Sequence, residues 1–326
     1  MRHSGTLLCL GSGATFGAMA VFGKLAYSEG ATVGTLLAVR FVLSAALFWA
    51  MVAAGGAARE IRALGGRHVG AGLALGGCGY ALQAGCYFAA LERIDASLLS
   101  LLLYTFPAIV AGAAVALGRE RLDGRRMAAL GLALAGLVLV LAGAGMGALD
   151  PFGVALGLGA AVVYATYILA SESLVARIRP SVLSALVCSG AAVSLTLGSA
   201  LLGELRPAEL TAAGWGWLAC LALVSTVASI SLFFAGLRRV GPTTASILAT
   251  VEPLVTVLLA LLVLGETLGV LQAVGGALVL VAVLVLSARW PLERHYLEGP
   301  RPLGREVIRL RPSTTCRQRW RASEVE

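Results

Sequence analysis

Residues 91–122 read LERIDASLLSLLLYTFPAIVAGAAVALGRERL, and residues 237–268 read LRRVGPTTASILATVEPLVTVLLALLVLGETL. The two stretches match at a constant offset of 146 positions, which places Pro107 opposite Pro253. Each stretch is an apolar segment with a proline in its middle and a glutamate near its end. A repeat of this length predicts that the chain contains a duplicated structural unit.

The composition indicates an integral membrane protein. Of the 326 residues, 59% are hydrophobic and only 13% are charged, and the mean hydropathy is +0.89. The net charge of +8 comes largely from nine arginines between residues 289 and 321, after the last apolar segment. Such a tail is typical of contact with lipid headgroups, so we expect no nucleic-acid partner. The cysteines and histidines lack metal-site spacing, and we expect neither a metal nor a cofactor.

The apolar segments are long enough to cross a bilayer as helices. Small residues recur at four-residue spacing within them, as at Gly72 and Gly76, which favours close helix packing in lipid. We predict ten transmembrane helices, at residues 5–27, 31–54, 69–91, 95–118, 127–146, 152–174, 181–203, 214–237, 242–264 and 269–288.

The distribution of arginine predicts the orientation of these helices. Connections on the side that holds the N-terminus carry twelve arginines, whereas the opposite side carries only Arg93 and Arg206. Positive charge stays in the cytoplasm, so both termini are predicted to be cytoplasmic. Five helices per copy is an odd number, so the copies must insert with opposite orientations.

The predicted fold is therefore an all-α membrane protein with ten transmembrane helices arranged as two inverted five-helix repeats. In this architecture a solute site lies near the midplane between the repeats. The domains are predicted at residues 1–146 and 147–290, followed by a basic, disordered cytoplasmic tail at 291–326.

Short motifs support a family assignment. They are Arg40-Phe41 in the second segment, YTFP at 104–107 with LGRERL at 117–122, and EP at 252–253 with LGETL at 264–268. With the duplication, they resemble the drug/metabolite transporter superfamily, specifically ten-helix exporters with two EamA-type domains. The resemblance implies export of amino acids, related metabolites or cationic drugs, in the inner membrane of a bacterium.

Two ionisable residues fall near the middle of predicted helices. Arg40 lies some nine residues into the second segment, about 13 Å deep in a core about 30 Å thick. Glu252 lies about ten residues into the ninth segment, at a similar depth. Such residues normally face the bundle interior or an aqueous cavity, so we place both on the substrate or ion pathway. The alternative for Arg40 is a structural role, satisfying carbonyl groups or pairing with an acid.

Pro107 and Pro253 are predicted to kink their helices, because each proline lacks an N–H group and frees a carbonyl in the preceding turn. The alternative is that both only bend helices for packing. Six polar side chains near mid-depth are candidates to line the same pathway, although each could instead be a packing contact. They are Tyr80, Gln83, Tyr104, Tyr164, Tyr167 and Thr250.

Three further charged residues are expected to lie near helix ends. Lys24 is close enough to the end of the first segment to extend its ammonium group to the interface. Glu120 and Glu266 end equivalent helices at opposite faces. We predict that both glutamates fix the following turn, with gating as the alternative.

These features predict a secondary transporter that exports small organic metabolites or drugs by alternating access. The sequence has no GxxxxGK[ST] loop, so an ion gradient or the solute gradient would supply energy. For a zwitterionic solute, Arg40 would hold the carboxylate and Glu252 the ammonium group, or Glu252 would carry a proton. A channel or scaffold without alternating access is the main alternative. An intramembrane enzyme is disfavoured, because the sequence lacks GxSxG, HExxH and any histidine within a predicted span.

Overall fold

A computed structural model describes most of the predicted transmembrane region. Within the described ranges every regular element is helical and no strand occurs. The basic tail predicted at 291–326 lies outside the described residues, as does Glu120. The structure describes residues 2–56, 64–116, 124–143, 150–175, 177–240, 245 and 248–287.

The described part of each of the ten predicted segments is largely helical, with breaks such as the turn at Tyr104 and Thr105. The helices of the first half are α1 (Arg2–Gly17), α2 (Met19–Ser28), α3 (Val33–Ala54), α4 (Gly66–Ala74), α5 (Ala81–Arg93), α6 (Ala96–Leu103), α7 (Phe106–Ala116) and α8 (Gly124–Gly143). Those of the second half are α9 (Pro151–Val175), α10 (Pro180–Leu201), α11 (Ala212–Ala222), α12 (Ser229–Val240), α13 (Val251–Leu259) and α14 (Val270–Ser287).

Five helical stretches are long and apolar enough to cross a membrane, and shorter apolar helices accompany them. The long stretches are His3–Ser28, Val33–Ala54, Pro151–Ser171, Pro180–Leu201 and Ala212–Val240. The shorter ones are Ala96–Val110, Met127–Gly143, Val251–Leu264 and Val270–Val285. The chain is thus a multi-pass membrane protein, and a total of ten crossings stays a prediction.

Wider π-helical turns interrupt three of the helices. Leu75–Tyr80 joins α4 to α5, and Leu223–Ala228 joins α11 to α12. These two segments occupy nearly equivalent positions in the two halves. Ala260–Leu264 extends α13 and ends at Gly265, whose positive φ of 67° suits glycine. Single π-helical turns of this kind are frequent at functional sites.

The largest helix contacts join one half of the chain to the other. Helix α3 packs on α10, its equivalent at the 146-residue offset, and α8 packs in the same way on α14. In the first pair, Trp49 Nε1 donates to Ser189 Oγ at 2.8 Å, and Thr35 Oγ1 donates to the Glu204 carbonyl at 3.1 Å. Rising residue numbers in α3 therefore meet falling numbers in α10. Because equivalent helices run antiparallel, the two halves are inverted relative to one another.

The contacts of the first helix of each half also join one half to the other. Helix α1 packs on α12 and α13, and α9 packs on α5 and α7. Ser12 Oγ in α1 donates to the Ser229 carbonyl in α12 at 2.9 Å. The first predicted span of each half thus packs against the third and fourth predicted spans of the other half.

Glycine permits the closest of these approaches, as predicted for Gly76. A Cβ atom on Gly76 would lie 2.0 Å from the Val187 carbonyl oxygen in α10. A Cβ atom on Gly190 would lie 2.1 Å from the Leu73 carbonyl oxygen in α4. Helix backbones touch directly at this crossing, which is how helices gain packing energy in lipid.

Candidate functional site

The Glu252 carboxylate accepts a hydrogen bond across the interface between the two halves. It lies in the first turn of α13 and is half-buried. The hydroxyl group of Tyr104, which follows α6 and is 5% exposed, donates to Glu252 Oε2 at 2.9 Å. The two residues belong to equivalent helices that run antiparallel, so the structure joins the fourth and ninth spans at their interruptions.

The regular helical structure is interrupted near both prolines. Helix α6 ends at Leu103 and α7 begins at Phe106, next to Pro107. In the other half a turn at Thr250 precedes α13, in which Pro253 is buried. Proline cannot donate to the carbonyl four residues before it, which for Pro253 is that of Ala249.

Tyr104 also contacts the carbonyl group that Pro253 leaves without its helical donor. Its hydroxyl lies 3.1 Å from the Ala249 carbonyl oxygen and 2.9 Å from the Glu252 carboxylate. A single hydroxyl hydrogen serves both acceptors, and the shorter distance is the one to the carboxylate. The proline, the freed carbonyl and the glutamate therefore form one polar site around Tyr104.

Helix α1 packs directly against this site. Thr256 Oγ1 donates to the Gly17 carbonyl at 2.9 Å, and a Cβ atom on Gly17 would lie 2.7 Å from the Glu252 carbonyl oxygen. The missing side chain at Gly17 thus brings the backbone of α1 against the turn that carries Glu252. The site lies where α1, α6 and α13 meet.

A row of aromatic rings continues from Tyr104 to the neighbourhood of Arg40. Four of the predicted tyrosines belong to it, and Phe106 and Phe41 complete it. Successive ring centroids lie 5.9, 4.6, 6.3, 5.6 and 5.2 Å apart in the order Tyr104, Phe106, Tyr164, Tyr167, Tyr80 and Phe41. This row joins residues of α3, α9 and the α6–α7 span into one apolar wall with phenolic groups along it.

Arg40 lies at the other end of the row and is only 2% exposed. Its Nε atom donates to Thr226 Oγ1 at 2.9 Å, and its guanidinium group lies 5.1 Å from the Phe41 ring centroid and 5.2 Å from that of Phe88. The Thr226 hydroxyl in turn donates to the Leu221 carbonyl at 2.9 Å, within the π-helical turn. Cation–π contacts and the hydroxyl groups of Thr226 and Tyr80 therefore surround the charge.

Arg40 makes no ion pair with a carboxylate in the described part of the chain. The acid pairing considered as its structural alternative is therefore not formed there. A buried guanidinium group without a countercharge is costly unless a negatively charged group reaches it. The structure does not bring Arg40 and Glu252 into direct contact, but it connects them through the aromatic row.

The other predicted pathway residues are more dispersed. Gln83 is buried on α5, and Thr250 is half-buried in the turn before α13. Lys24 is half-buried on α2, four residues before the helix ends at Ser28. Among the described residues no cluster of three metal-binding side chains occurs.

The sequence interpretation missed Thr226, Phe88 and the Ala249 carbonyl. A signal for Thr226 was present, because it lies 146 positions after Tyr80, which was already a candidate. The two residues occupy equivalent π-helical turns, and both turns lie beside the Arg40-Phe41 motif.

The prediction that Glu266 fixes its own following turn requires correction. Its carboxylate accepts hydrogen bonds from the backbone N–H groups of Ala96 and Ser97 at 2.7 and 2.9 Å. The Ser97 hydroxyl donates to the same group at 2.6 Å. Glu266 therefore caps α6 of the other half, because the first N–H groups of a helix have no partner within it.

Two aspartates at helix starts have shifted pKa values in opposite directions. Hydrogen bonds from the Gly153 backbone and from Arg93, which lies 3.1 Å away, lower the pKa of Asp150. Burial and the nearby Glu266 carboxylate raise the pKa of Asp95, and Lys24 opposes that rise. Asp95 precedes α6 but makes no side-chain capping bond.

Comparison with known proteins gives a family match over both halves. A model of the EamA-like transporter family matches residues 3–142 and again residues 151–288. A solved structure titled "Crystal structure of protein" is similar with a TM-score of 0.61 at 20% identity, and the match covers 92% of this chain and 100% of that one. That likeness concerns the fold alone.

Curated relatives carry the name of uncharacterized transporters. One from Archaeoglobus fulgidus is 31% identical over 204 residues, which are 63% of this chain and 72% of the relative. YcbK of Bacillus subtilis is 28% identical over 287 residues, covering 83% of this chain and 89% of the relative. YwfM of the same organism is 35% identical over 158 residues, and the match spans about half of each chain, 48% and 52%.

Proposed function

The chain belongs to the EamA-like transporter family, and from this premise we propose that it is a secondary transporter that exports small organic metabolites or drugs by alternating access. Amino acids and related compounds are the first solutes to test. We place it in the inner membrane of a bacterium with both termini in the cytoplasm, on the arginine distribution in its connections.

The observation that carries this proposal is the bond between Tyr104 and Glu252. It joins equivalent, antiparallel helices at the points where each is interrupted. Interrupted helices near the midplane are where inverted-repeat transporters bind solutes and ions, because they expose backbone groups away from lipid. Residues from both halves meet at this point, so rocking of one half against the other would open it to alternate sides.

We assign the two charged residues to the two charged groups of a zwitterionic solute. Arg40 holds the carboxylate, since it is buried without a countercharge in the described structure. Glu252 holds the ammonium group, or it carries a proton that drives export. The aromatic row offers ring faces and phenolic hydroxyls to the apolar part of the solute.

Solute export from cells is the first test. Cells that overproduce the protein should release the transported metabolite faster than cells in which the gene is deleted, and comparison of the two culture media names the solute. The purified protein in proteoliposomes should then exchange labelled for unlabelled solute. A channel does not support such counterflow, so net leak without exchange would favour the channel alternative.

Substitutions test the assigned roles. Arg40→Ala should weaken solute binding roughly tenfold to a hundredfold, the range for hydrogen bonds to charged groups. Thr226→Val should weaken it less, because Arg40 stays but loses the hydroxyl that orients it. Thr196→Val is the matched control, since the buried hydroxyl of Thr196 has no partner among the described residues. Unchanged solute binding in Arg40→Ala would remove the carboxylate role.

Glu252→Gln separates the two roles of the glutamate. If Glu252 carries the proton, vesicles with this variant lose the dependence of transport on the pH gradient while counterflow continues. If Glu252 binds the ammonium group, both counterflow and solute binding fall. Transport that keeps full activity and full dependence on the gradient would contradict both roles.

A further inference from the structure

We infer that Glu266 is the gate residue that closes one end of the solute pathway; this inference rests on the proposed transport function. The bonds from Ala96 and Ser97 bring its carboxylate to the start of α6. The glutamate comes from the second half and the helix from the first, so the bonds hold the two halves together.

A cap for α6 alone does not require this arrangement. Acidic residues stabilise helix starts, and they are normally supplied by the residue just before the helix. Asp95 occupies that position in α6 but makes no capping bond with its side chain. The Glu266 carboxylate accepts the capping hydrogen bonds instead, although its charge raises the pKa of Asp95. The structure thus uses a carboxylate from the opposite half where a local one is present.

The gate lies on the same pair of spans as the proposed solute site. Ser97 and Tyr104 are seven residues apart in the chain, which is two helical turns or about 10 Å along the helix axis. They lie on one face of the span, where Ser97 contacts Glu266 and Tyr104 contacts Glu252. Hydrogen bonds therefore hold α6 to α13 and the chain after it at two points, one at the proposed solute site and one at the start of α6.

Access from that end requires the two spans to separate. In this proposal, a solute that approaches Glu252 from the side where α6 begins passes between α6 and the chain that follows α13. Separation there breaks all three bonds to Glu266. The position of Glu266 is set by the π-helical turn at 260–264 and by Gly265, so its carboxylate is carried on the chain end rather than inside a straight helix. By the predicted topology this end faces the outside of the cell.

Accessibility of a reporter cysteine tests the gate. Ser100 lies between Ser97 and Tyr104 on the same helix face and is 4% exposed. We would place Ser100→Cys in a background with the native cysteines replaced, and label sealed vesicles with a membrane-impermeant, positively charged methanethiosulfonate. The reagent is added from each side in turn, using vesicles of both orientations.

Loss of the gate should expose the reporter. Glu266→Ala should raise the labelling rate from the side where α6 begins by about tenfold, because it removes bonds to a charged group. Ser97→Ala should raise it by about threefold, because it removes one of the three bonds. Asp95→Ala removes an acid from the same helix start without removing a capping bond, and it should not raise the rate.

Equal labelling of the parent, Glu266→Ala and Ser97→Ala would overturn the gate. If Glu266→Ala does not yield a monodisperse protein in detergent, Ser97→Ala decides by the same criterion. The labelling needs no solute, so it is independent of the transport test. Faster labelling without counterflow in the parent would refute the transport function, whereas counterflow with unchanged labelling would refute the gate alone.

Discussion

Replacing Tyr104 with phenylalanine gives the sharpest test of the polar site, because the change removes one hydroxyl group and keeps the ring. The hydroxyl donates to the Glu252 carboxylate at 2.9 Å and lies 3.1 Å from the Ala249 carbonyl oxygen. A hydrogen bond to a charged group contributes about 1.5–3 kcal/mol, so Tyr104→Phe should lower the free energy of unfolding by about 2 kcal/mol.

A double-mutant cycle with Glu252→Met, which removes both acceptor oxygens, isolates the bond itself. If Tyr104 and Glu252 interact as the structure shows, the two changes together cost less than the sum of the single changes. The expected coupling energy is about 1–2 kcal/mol, within the range for residues in direct contact. The free energy of unfolding can be measured in mixed micelles by titration with a denaturing detergent, following tryptophan fluorescence.

Tyr164→Phe is the matched control for this cycle. Its ring belongs to the aromatic row, but its hydroxyl makes no hydrogen bond in the described part of the chain. The change should cost less than about 0.5 kcal/mol and show a smaller coupling to Glu252→Met than Tyr104→Phe does. A coupling energy below about 0.3 kcal/mol for Tyr104 and Glu252 would refute the proposed bond.

Other perturbations test the packing and the helix ends. Gly76→Ala should prevent assembly of a monodisperse protein, because its Cβ would lie 2.0 Å from a carbonyl oxygen of α10. Gly85→Ala is the control, because a Cβ there has nothing within 4 Å. In thermal unfolding this change should be neutral or should stabilise the protein by up to about 1 kcal/mol. The lowered pKa of Asp150, caused by the Gly153 backbone and Arg93, stabilises the fold above the ordinary pKa of about 4, and that contribution is lost as the pH falls through the lower folded value. Asp150→Asn should therefore unfold at a lower temperature than the parent at pH 7, and the difference should shrink as the pH falls below the ordinary aspartate pKa, as thermal scans can check.

The helical framework could be predicted from the sequence because hydrophobic length and repetition are local signals. The ten predicted segments are largely helical where the structure describes them, and the inverted relation follows from five predicted spans per copy together with the arginine distribution. Helix interruptions near Pro107 and Pro253 could also be predicted, because proline lacks the backbone N–H donor. The division of individual spans at Ala18 and at the π-helical turns left no comparable signal.

The contacts of the site could be predicted only in part. Arg40 and Glu252 stood out because an ionisable group deep in a membrane span is rare. Their partners did not, because Thr226 and Phe88 are common residues whose importance depends on which helices meet. The prediction for Glu266 failed for the same reason. A carboxylate beside a turn offers a local partner in the sequence, whereas its actual partner lies about 170 residues earlier in the chain.

The packing of each half against the other has a consequence for how the protein is made. The most extensive contacts of α1, α3 and α8 are all with helices of the second half. While the ribosome is still producing that second half, these helices lack the partners on which they will pack, so the first half of the chain lies in the membrane with an incomplete packing surface. A five-span chain with the same faces could complete itself only by pairing with a copy inserted in the opposite direction.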